Sequence, residues 1–303
     1  MNIITRSDFD GLVGAMLLKQ VEIVDQVRFA HPRDVQQDEY EVTPADIIVN
    51  LPYHPKCAMW FDHHSSERAR PDLPQNYEGR CEIAPSCARV IVNHYGSKRF
   101  AQYADLLDAV DRVDSANLTV FDVADPQKWV LLGFLMDPRT GLGKYHDYAI
   151  SNRQLMYALV DKMATHSADE ILSMYDVRQR VERYKEQQEA FKAMLEENSR
   201  IEGNLIVTDL RGKKDLPTGN RFLIYTLFQN ANISMLIQDG RGGQNVAVAI
   251  GHSIFNRNSR TDVGKLCADY GSGGHRGAGT IQFTNEEADA KITEIIGRIR
   301  QDG

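Results

Sequence analysis

The sequence predicts an α/β protein in three parts: an N-terminal doubly wound, mostly parallel sheet, a helical connector, and a smaller C-terminal α+β domain. Short apolar runs at residues 2–5, 27–30, 46–52 and 57–61 alternate with helical segments, the pattern of strands joined by crossover helices. From Pro85 to about residue 200 the apolar period becomes helical. Beyond residue 201 strands return, separated by short helices and a glycine-rich run. Usual domain sizes then divide the chain into a catalytic domain over 1–165, a connector over 166–200 and a second domain over 201–303.

Residues 2–5 read as the first strand and 12–18 as a buried helix, with the acidic turn Asp8-Phe9-Asp10-Gly11 between them. Residues 46–52 are apolar almost throughout, as suits a strand covered on both faces. The run 57–61 ends in Asp62-His63-His64. Neighbouring side chains on a strand point to opposite faces, so both histidines can serve one site only if the strand has given way to a loop there. Helices follow over 88–94 and 102–114, the latter with Leu106, Leu107, Ala109, Val110 and Val113 at helical spacing. Asp105, Asp108, Asp111 and Asp114 fall every third residue, a solvated acidic face from which one aspartate is a candidate to point inward. Further helices are expected over 129–136, 151–163 and, as one long charged helix, 168–198. The mixed signs of Arg178, Arg180, Arg183 and Lys185 among glutamates favour a solvated connector over an RNA-binding face. In the C-terminal part, strands are expected at 204–210, 233–238, 245–250 and 280–283, helices at 221–229, 263–270 and the terminus, and a loop over 271–279.

Composition removes several function classes. With 42% hydrophobic and 25% charged residues the 303-residue chain is globular, and a net charge of −7 is no footprint for coating long nucleic acid. Cys57, Cys81, Cys87 and Cys267 contain no Cys-x-x-Cys pair, which argues against a zinc ribbon, a redox motif and a disulfide framework. No apolar stretch is long enough to span a bilayer, and the first residues carry Arg6, Asp8 and Asp10 in place of a secretory signal. A cytoplasmic location, with no membrane partner, is the expectation.

Two clusters carry chemistry. Carboxylates and imidazoles at the carboxyl ends of parallel strands lie where an open α/β sheet places its ligand. Asp8, Asp10, His63 and one later aspartate form a mixed oxygen and nitrogen set that suits Mn2+ or a related divalent ion, Mg2+ included, better than a thiolate-seeking metal. The second cluster is Gly271-Ser272-Gly273-Gly274-His275-Arg276-Gly277-Ala278-Gly279, whose backbone N–H groups and two cationic side chains suit an anion such as phosphate. A loop without ligand is the plainer alternative, since the context of a dinucleotide fingerprint is missing.

Together, Asp8-Phe9-Asp10-Gly11, Asp62-His63-His64 and Ser272-Gly273-Gly274-His275-Arg276-Gly277-Ala278-Gly279 resemble the first, third and C-terminal motifs of the DHH phosphoesterase family, in order and over nearly the whole chain. The resemblance implies an N-terminal manganese-bearing catalytic domain and a DHH-associated C-terminal domain that binds substrate across a cleft. It implies hydrolysis of phosphodiesters, phosphomonoesters or phosphoanhydrides, as in oligoribonucleases and exopolyphosphatases. It makes Asp8, Asp10 and His63 metal ligands, Asp62 a supporting group, and His64 a contact to the scissile phosphate or leaving group. Asp114 matches the fourth-motif aspartate, with Asp111 as the alternative. Gly273, Gly274, His275 and Arg276 become substrate contacts.

Two positions depart from that pattern. A histidine ligand usually stands where this chain has Arg6, and a metal-bridging aspartate where it has Asn50. A guanidinium cannot ligate a cation and an amide oxygen is a poorer, neutral ligand. One ion or two therefore remain open, and Arg6 and Asn50 are expected to face the substrate, Arg6 by clamping a phosphate oxygen. The expected activity is hydrolysis of phosphodiester bonds in a short nucleotide or oligonucleotide. The alternatives are an exopolyphosphatase-like phosphoanhydride hydrolase and a non-catalytic nucleotide-binding sensor, and a homodimer is compatible with each.

Overall fold

In the computed structural model, which describes residues 1–303 apart from the side chain of Arg241, the chain forms two compact units. One comprises residues 1–118 and 125–184, the other residues 119–124 and 185–303.

In the first unit β1 (Asn2–Thr5), β2 (Gln26–Phe29), β3 (Asp46–Val49), β4 (Met59–Asp62) and β5 (Gly79–Cys81) form a single parallel sheet, ordered β2-β1-β3-β4-β5. The order reverses between β1 and β3, and at such a switch point the connections leaving neighbouring strands diverge and open a crevice at their carboxyl ends. Ile3, Ile4, Ile47, Ile48, Val49, Trp60 and Phe61 are wholly buried, as continuous apolar strands covered on both faces require. The helices of this unit are α1 (Phe9–Leu18), the short α2 (Pro32–Gln36) and α3 (Ser65–Arg68), α4 (Cys87–Tyr95) and α5 (Ala104–Asp114). Past α6 (Val120–Ala124), which groups with the other unit, come α7 (Lys128–Met136), α8 (Asn152–Lys162) and α9 (Ala168–Ser173). Helix α1, buried at every position, packs against α4, α5 and α8.

Among the elements that differ from expectation, three have a plain local cause. Helix α1 begins at Phe9 rather than residue 12, because Asp8 caps it by accepting the Gly11 N–H at 3.0 Å. The long charged helix is interrupted at Met174, whose ψ of 139° is extended, so α9 is separate from α10 (Tyr175–Asn198). The third is β5, whose Gly-Arg-Cys has no apolar run to announce a strand. Gly79 sits at φ +105°, where a Cβ would lie 2.1 Å from the Trp60 carbonyl oxygen, so only glycine lets this strand pair with β4.

The second unit holds a six-stranded mixed sheet. Strands β6 (Ser199–Glu202), β7 (Leu205–Asp209), β8 (Ile233–Asp239), β9 (Val246–His252), β10 (Gly274–His275) and β11 (Ala278–Phe283) are ordered β10-β11-β9-β8-β7-β6. Only β7 and β8 run parallel. Its helices are α11 (Leu223–Leu227), α12 (Val263–Asp269) and α13 (Ala288–Asp302), and α11 is shorter than the 221–229 expected. Alternate residues of β8 and β9 are buried, and Val248, Ile250 and Ile281 share a core with Val263 and Leu266 of α12 and Ile292, Ile295 and Ile299 of α13.

The glycine-rich run is a hairpin rather than an open loop, with His275 paired to Ala278 and Arg276-Gly277 at its tip. Of its glycines only Gly271 has a positive φ, +71°. The others serve close approach: a Cβ on Gly274 would lie 2.8 Å from the Ala278 carbonyl oxygen, and one on Gly279 2.4 Å from Cys267 Sγ. All four cysteines are free, and among the described residues no helix is long and apolar enough to cross a membrane.

Candidate metal and phosphate site

The polar residues following β1, β3 and β4 gather at the carboxyl edge of the parallel sheet. Gly11 makes the first step possible. A Cβ there would meet the Arg6 carbonyl oxygen at 2.4 Å and Thr5 Oγ1 at 2.7 Å, so the first turn of α1 lies directly on the end of β1. That contact puts Asp8 at the cap of α1 and Asp10 inside its first turn. Asp10 is buried, and its two oxygens accept the N–H groups of Cys87 and Ala88, each at 2.8 Å, at the start of α4. Ser86 caps that helix and donates to Asp111, which also holds Arg89 in an ion pair.

Strand β4 ends at Asp62, so the next two residues are free of strand alternation, and the His63 and His64 rings meet edge to face with centroids 4.5 Å apart. His63 Nδ1 lies 3.1 Å from the Ala84 carbonyl, which accepts only if that nitrogen carries the proton. In the neutral ring the lone pair is then on Nε2, which is buried without a hydrogen-bond partner, 3.2 Å from Asp114 Oδ2 and 3.7 Å from Asp10 Oδ2. Ligand atoms of Asp10, His63 and Asp114 all fall within 4.8 Å of one another. Two carboxylates and an imidazole nitrogen without a hydrogen-bond partner are the donors of a divalent ion of the oxygen- and nitrogen-binding class, so these residues fit one.

The electrostatics agree. Burial raises the Asp10 carboxyl, against the opposing pull of His63 and the Ala88 N–H. Burial and then the charges of Asp10 and Asp8 push Asp114 well above the carboxylate range. About a third of the Asp114 side chain, 32%, is open to solvent, so repulsion among the carboxylates is the more durable of these causes. His64 feels burial in the opposite sense, but its 2.7 Å hydrogen bond to Asp62 and the charge of that wholly buried carboxylate outweigh it and raise the ring's pKa. Asp62 therefore supports His64, while a backbone carbonyl orients His63.

The remaining expected residues take distinct places. Asp8 stands outside the close triad: Arg6 Nε lies 3.0 Å from Asp8 Oδ2, while Gly11 N–H and the Asn50 side-chain amide donate to Oδ1 at 3.0 and 3.3 Å. Asn50 follows β3 in the left-handed region, φ 55°, a conformation asparagine tolerates better than most residues. Asp111 is occupied by Arg89 and Ser86, so Asp114 is the aspartate of α5 beside His63. In the second unit His275 and Arg276 are solvent-exposed at the hairpin tip, and Gly273 and Gly274 are exposed beside them. Sequence reasoning missed the groups that hold the site together: the α4 N–H groups on Asp10, the Ala84 carbonyl on His63, and Ser86 and Arg89 on Asp111. The first two are backbone and carry no side-chain signature. A serine just before the helical run at 88–94 was the one available signal for the third.

Over 100% of this chain and 99% of the other, the protein is 43% identical, with a TM-score of 0.86, to a structure described as the pGpG-specific phosphodiesterase PggH from Vibrio cholerae. The chain belongs to the DHH phosphoesterase family. An exopolyphosphatase-related protein from Bacteroides fragilis matches with a TM-score of 0.53 at 13% identity, covering 99% of this chain and 92% of that one, a likeness of fold alone. No protein-family model matches, and no curated protein does. Within the DHH family's motif order, the third motif supplies both His63 and the Asp62–His64 pair, and the first motif supplies Asp10 to the triad and Asp8 to Arg6.

Proposed function

We propose that this DHH-family chain is a metal-dependent phosphodiesterase that hydrolyses a short linear dinucleotide of the pGpG kind. The observation that carries the reading is the convergence of Asp10, His63 and Asp114 at the carboxyl edge of the sheet, in a chain 43% identical end to end to a pGpG-specific phosphodiesterase. The reaction adds water across the bridging P–O3′ bond: the water oxygen joins phosphorus, the 3′ oxygen leaves with a proton, and two guanosine 5′-monophosphates result.

Asp10, His63 and Asp114 would hold the ion, Mn2+ or Mg2+, which supplies Lewis acidity at the phosphate and a more acidic water. The protein's own groups do the rest. The Ala84 carbonyl keeps the His63 proton on Nδ1 and its lone pair turned to the ion. Asp62 favours the charged form of His64, whose side chain, 31% open, can donate a proton to the leaving oxygen or a hydrogen bond to the phosphate. Arg6 and Asn50 follow β1 and β3 at the same edge, on either side of Asp8, and would meet the phosphate. In the second unit His275 and Arg276, beside the exposed Gly273 and Gly274, are donors suited to a phosphate.

The test is product release from a panel of pGpG, a longer oligoribonucleotide, adenosine bisphosphate and polyphosphate, with Mn2+ and then with chelator. Release of guanosine monophosphate from pGpG, abolished by chelation, is expected. Phosphate release from polyphosphate alone, or binding of pGpG without turnover, would overturn the reading in favour of the exopolyphosphatase or sensor alternative.

A further inference from the structure

We infer that the centre is built for one divalent ion, and that the Arg6 guanidinium, fixed by Asp8, is the permanent second cation of the site. Only its delivery to a substrate phosphate rests on the phosphodiesterase reading; the ion count does not.

The first support is the state of Asp8. An ionised carboxylate offers about four lone-pair positions. Two N–H donors, of Gly11 and of the Asn50 side-chain amide, hold Oδ1 of Asp8, and the Arg6 guanidinium lies in ion-pair contact with Oδ2 at 3.0 Å. Asp10, by contrast, receives only backbone N–H groups and keeps Oδ2 toward His63 Nε2. The first motif thus splits its two carboxylates, one to the ion and one to a guanidinium.

Charge balance points the same way. With an ion bound, Asp8, Asp10 and Asp114 would carry three negative charges and Arg6 one positive, leaving two, which a single divalent ion neutralises. Asp62 is hydrogen-bonded to His64 at 2.7 Å and is left out of this sum. A second divalent ion would leave the cluster, the guanidinium included, doubly positive. With histidine at 6 and aspartate at 50, the sum would be four negative charges, enough for two ions. The two departures from the family pattern therefore compensate each other: Arg6 brings a cation and Asn50 withholds an anion.

The third support is what Arg6 and Asn50 leave free. Arg6 Nε is engaged by Asp8, while its two Nη groups meet no protein acceptor among the described residues, and 36% of its side chain is open. Asn50 Oδ1 is buried without a partner, and the Asn50 N–H is anchored to the Phe61 carbonyl at 3.0 Å. A fork of paired N–H groups matches the non-bridging oxygens of a phosphate.

Manganese bound per chain, measured by equilibrium dialysis on the full-length protein, tests the count. Wild type should hold one ion, His63→Ala none, and the double variant Arg6→His/Asn50→Asp two; aspartate tolerates the left-handed backbone at 50 as asparagine does. Arg6→Ala should keep its ion while kcat/KM on pGpG falls at least tenfold, with Arg6→Lys recovering part of the loss. Should the double variant not fold, the electron paramagnetic resonance spectrum of Mn2+-loaded wild type decides: an isolated ion is expected, without coupling between neighbouring manganese centres. Two ions or none in wild type, a coupled spectrum, a folded double variant still holding one ion, or Arg6→Ala that loses its ion or keeps full turnover each overturn the inference. Wild type with one ion and no pGpG hydrolysis would sink the substrate reading and leave the ion count standing.

Discussion

At the scale of single residues, the site depends on small groups that leave room as much as on those that bind. Gly11 is the clearest case. An alanine would favour the helix by about 1 kcal/mol through propensity, but its Cβ would press on the Arg6 carbonyl at 2.4 Å. Overpacking against backbone costs about 1–3 kcal/mol, because no flexible side chain can yield. Strain should win. Gly11→Ala is expected to lose about 1–2 kcal/mol in urea unfolding and to lose turnover more steeply, since the same displacement moves Asp8 and Asp10. A variant with full activity and unchanged midpoint would show that α1 need not rest on β1. Histidine 63 makes a complementary point: its two nitrogens have different tasks, one tied to Ala84 and the other turned to the carboxylates.

At the scale of elements, each functional group is aimed by a helix end or a hairpin. Helix α4 meets Asp10 with its first N–H groups, which place positive potential on that carboxylate. Helix α5 sends Asp111 to Arg89 and Ser86 and Asp114 to His63, two destinations for residues three apart, because the burial of Leu106, Leu107, Ala109 and Val110 fixes its rotation. In the second unit the hairpin of His275 and Arg276 lies on α12 through Gly279. Gly279→Ala would place a Cβ 2.4 Å from Cys267 Sγ and should cost about 1–3 kcal/mol. Adding Cys267→Ala removes the obstructing sulfur, so the double variant should recover much of that loss in a mutant cycle. Strict additivity of the two substitutions would mean that the close approach is not the cause.

At the scale of the molecule, two units with separate cores share one chain, and only the first holds the metal triad. A ligand that binds the folded state alone stabilises it by RT ln(1 + [L]/Kd), about 2.7 kcal/mol at a hundredfold excess over Kd. For a unit of this size that corresponds to roughly 5–10 °C in melting temperature. Mn2+ should therefore raise the unfolding transition of the first unit by about that amount and leave His63→Ala unmoved. Calorimetry that finds the two proteins shifting equally would remove the ion from this triad. The acidic net charge of −7 fits a short substrate met by local cations better than a long polyanion.

Much of this was legible in the chain. Strand-end aspartates and histidines, a glycine after the acidic turn and apolar runs of strand length are local properties, and local propensity with hydrophobic period specifies them. The parallel sheet and the partnership of Asp10 with His63 follow from such signals once strands are laid side by side. What lay beyond them was long-range. That Asp8 belongs to Arg6 and that the glycine run closes as a hairpin depend on which face each element buries and on backbone groups that every residue possesses alike, whereas Asp114, preferred over Asp111 from the motif resemblance, does meet His63. Side-chain identity determined the chemistry available to this protein; packing decided which of those groups share one site, because distance in space follows buried surface rather than position along the chain.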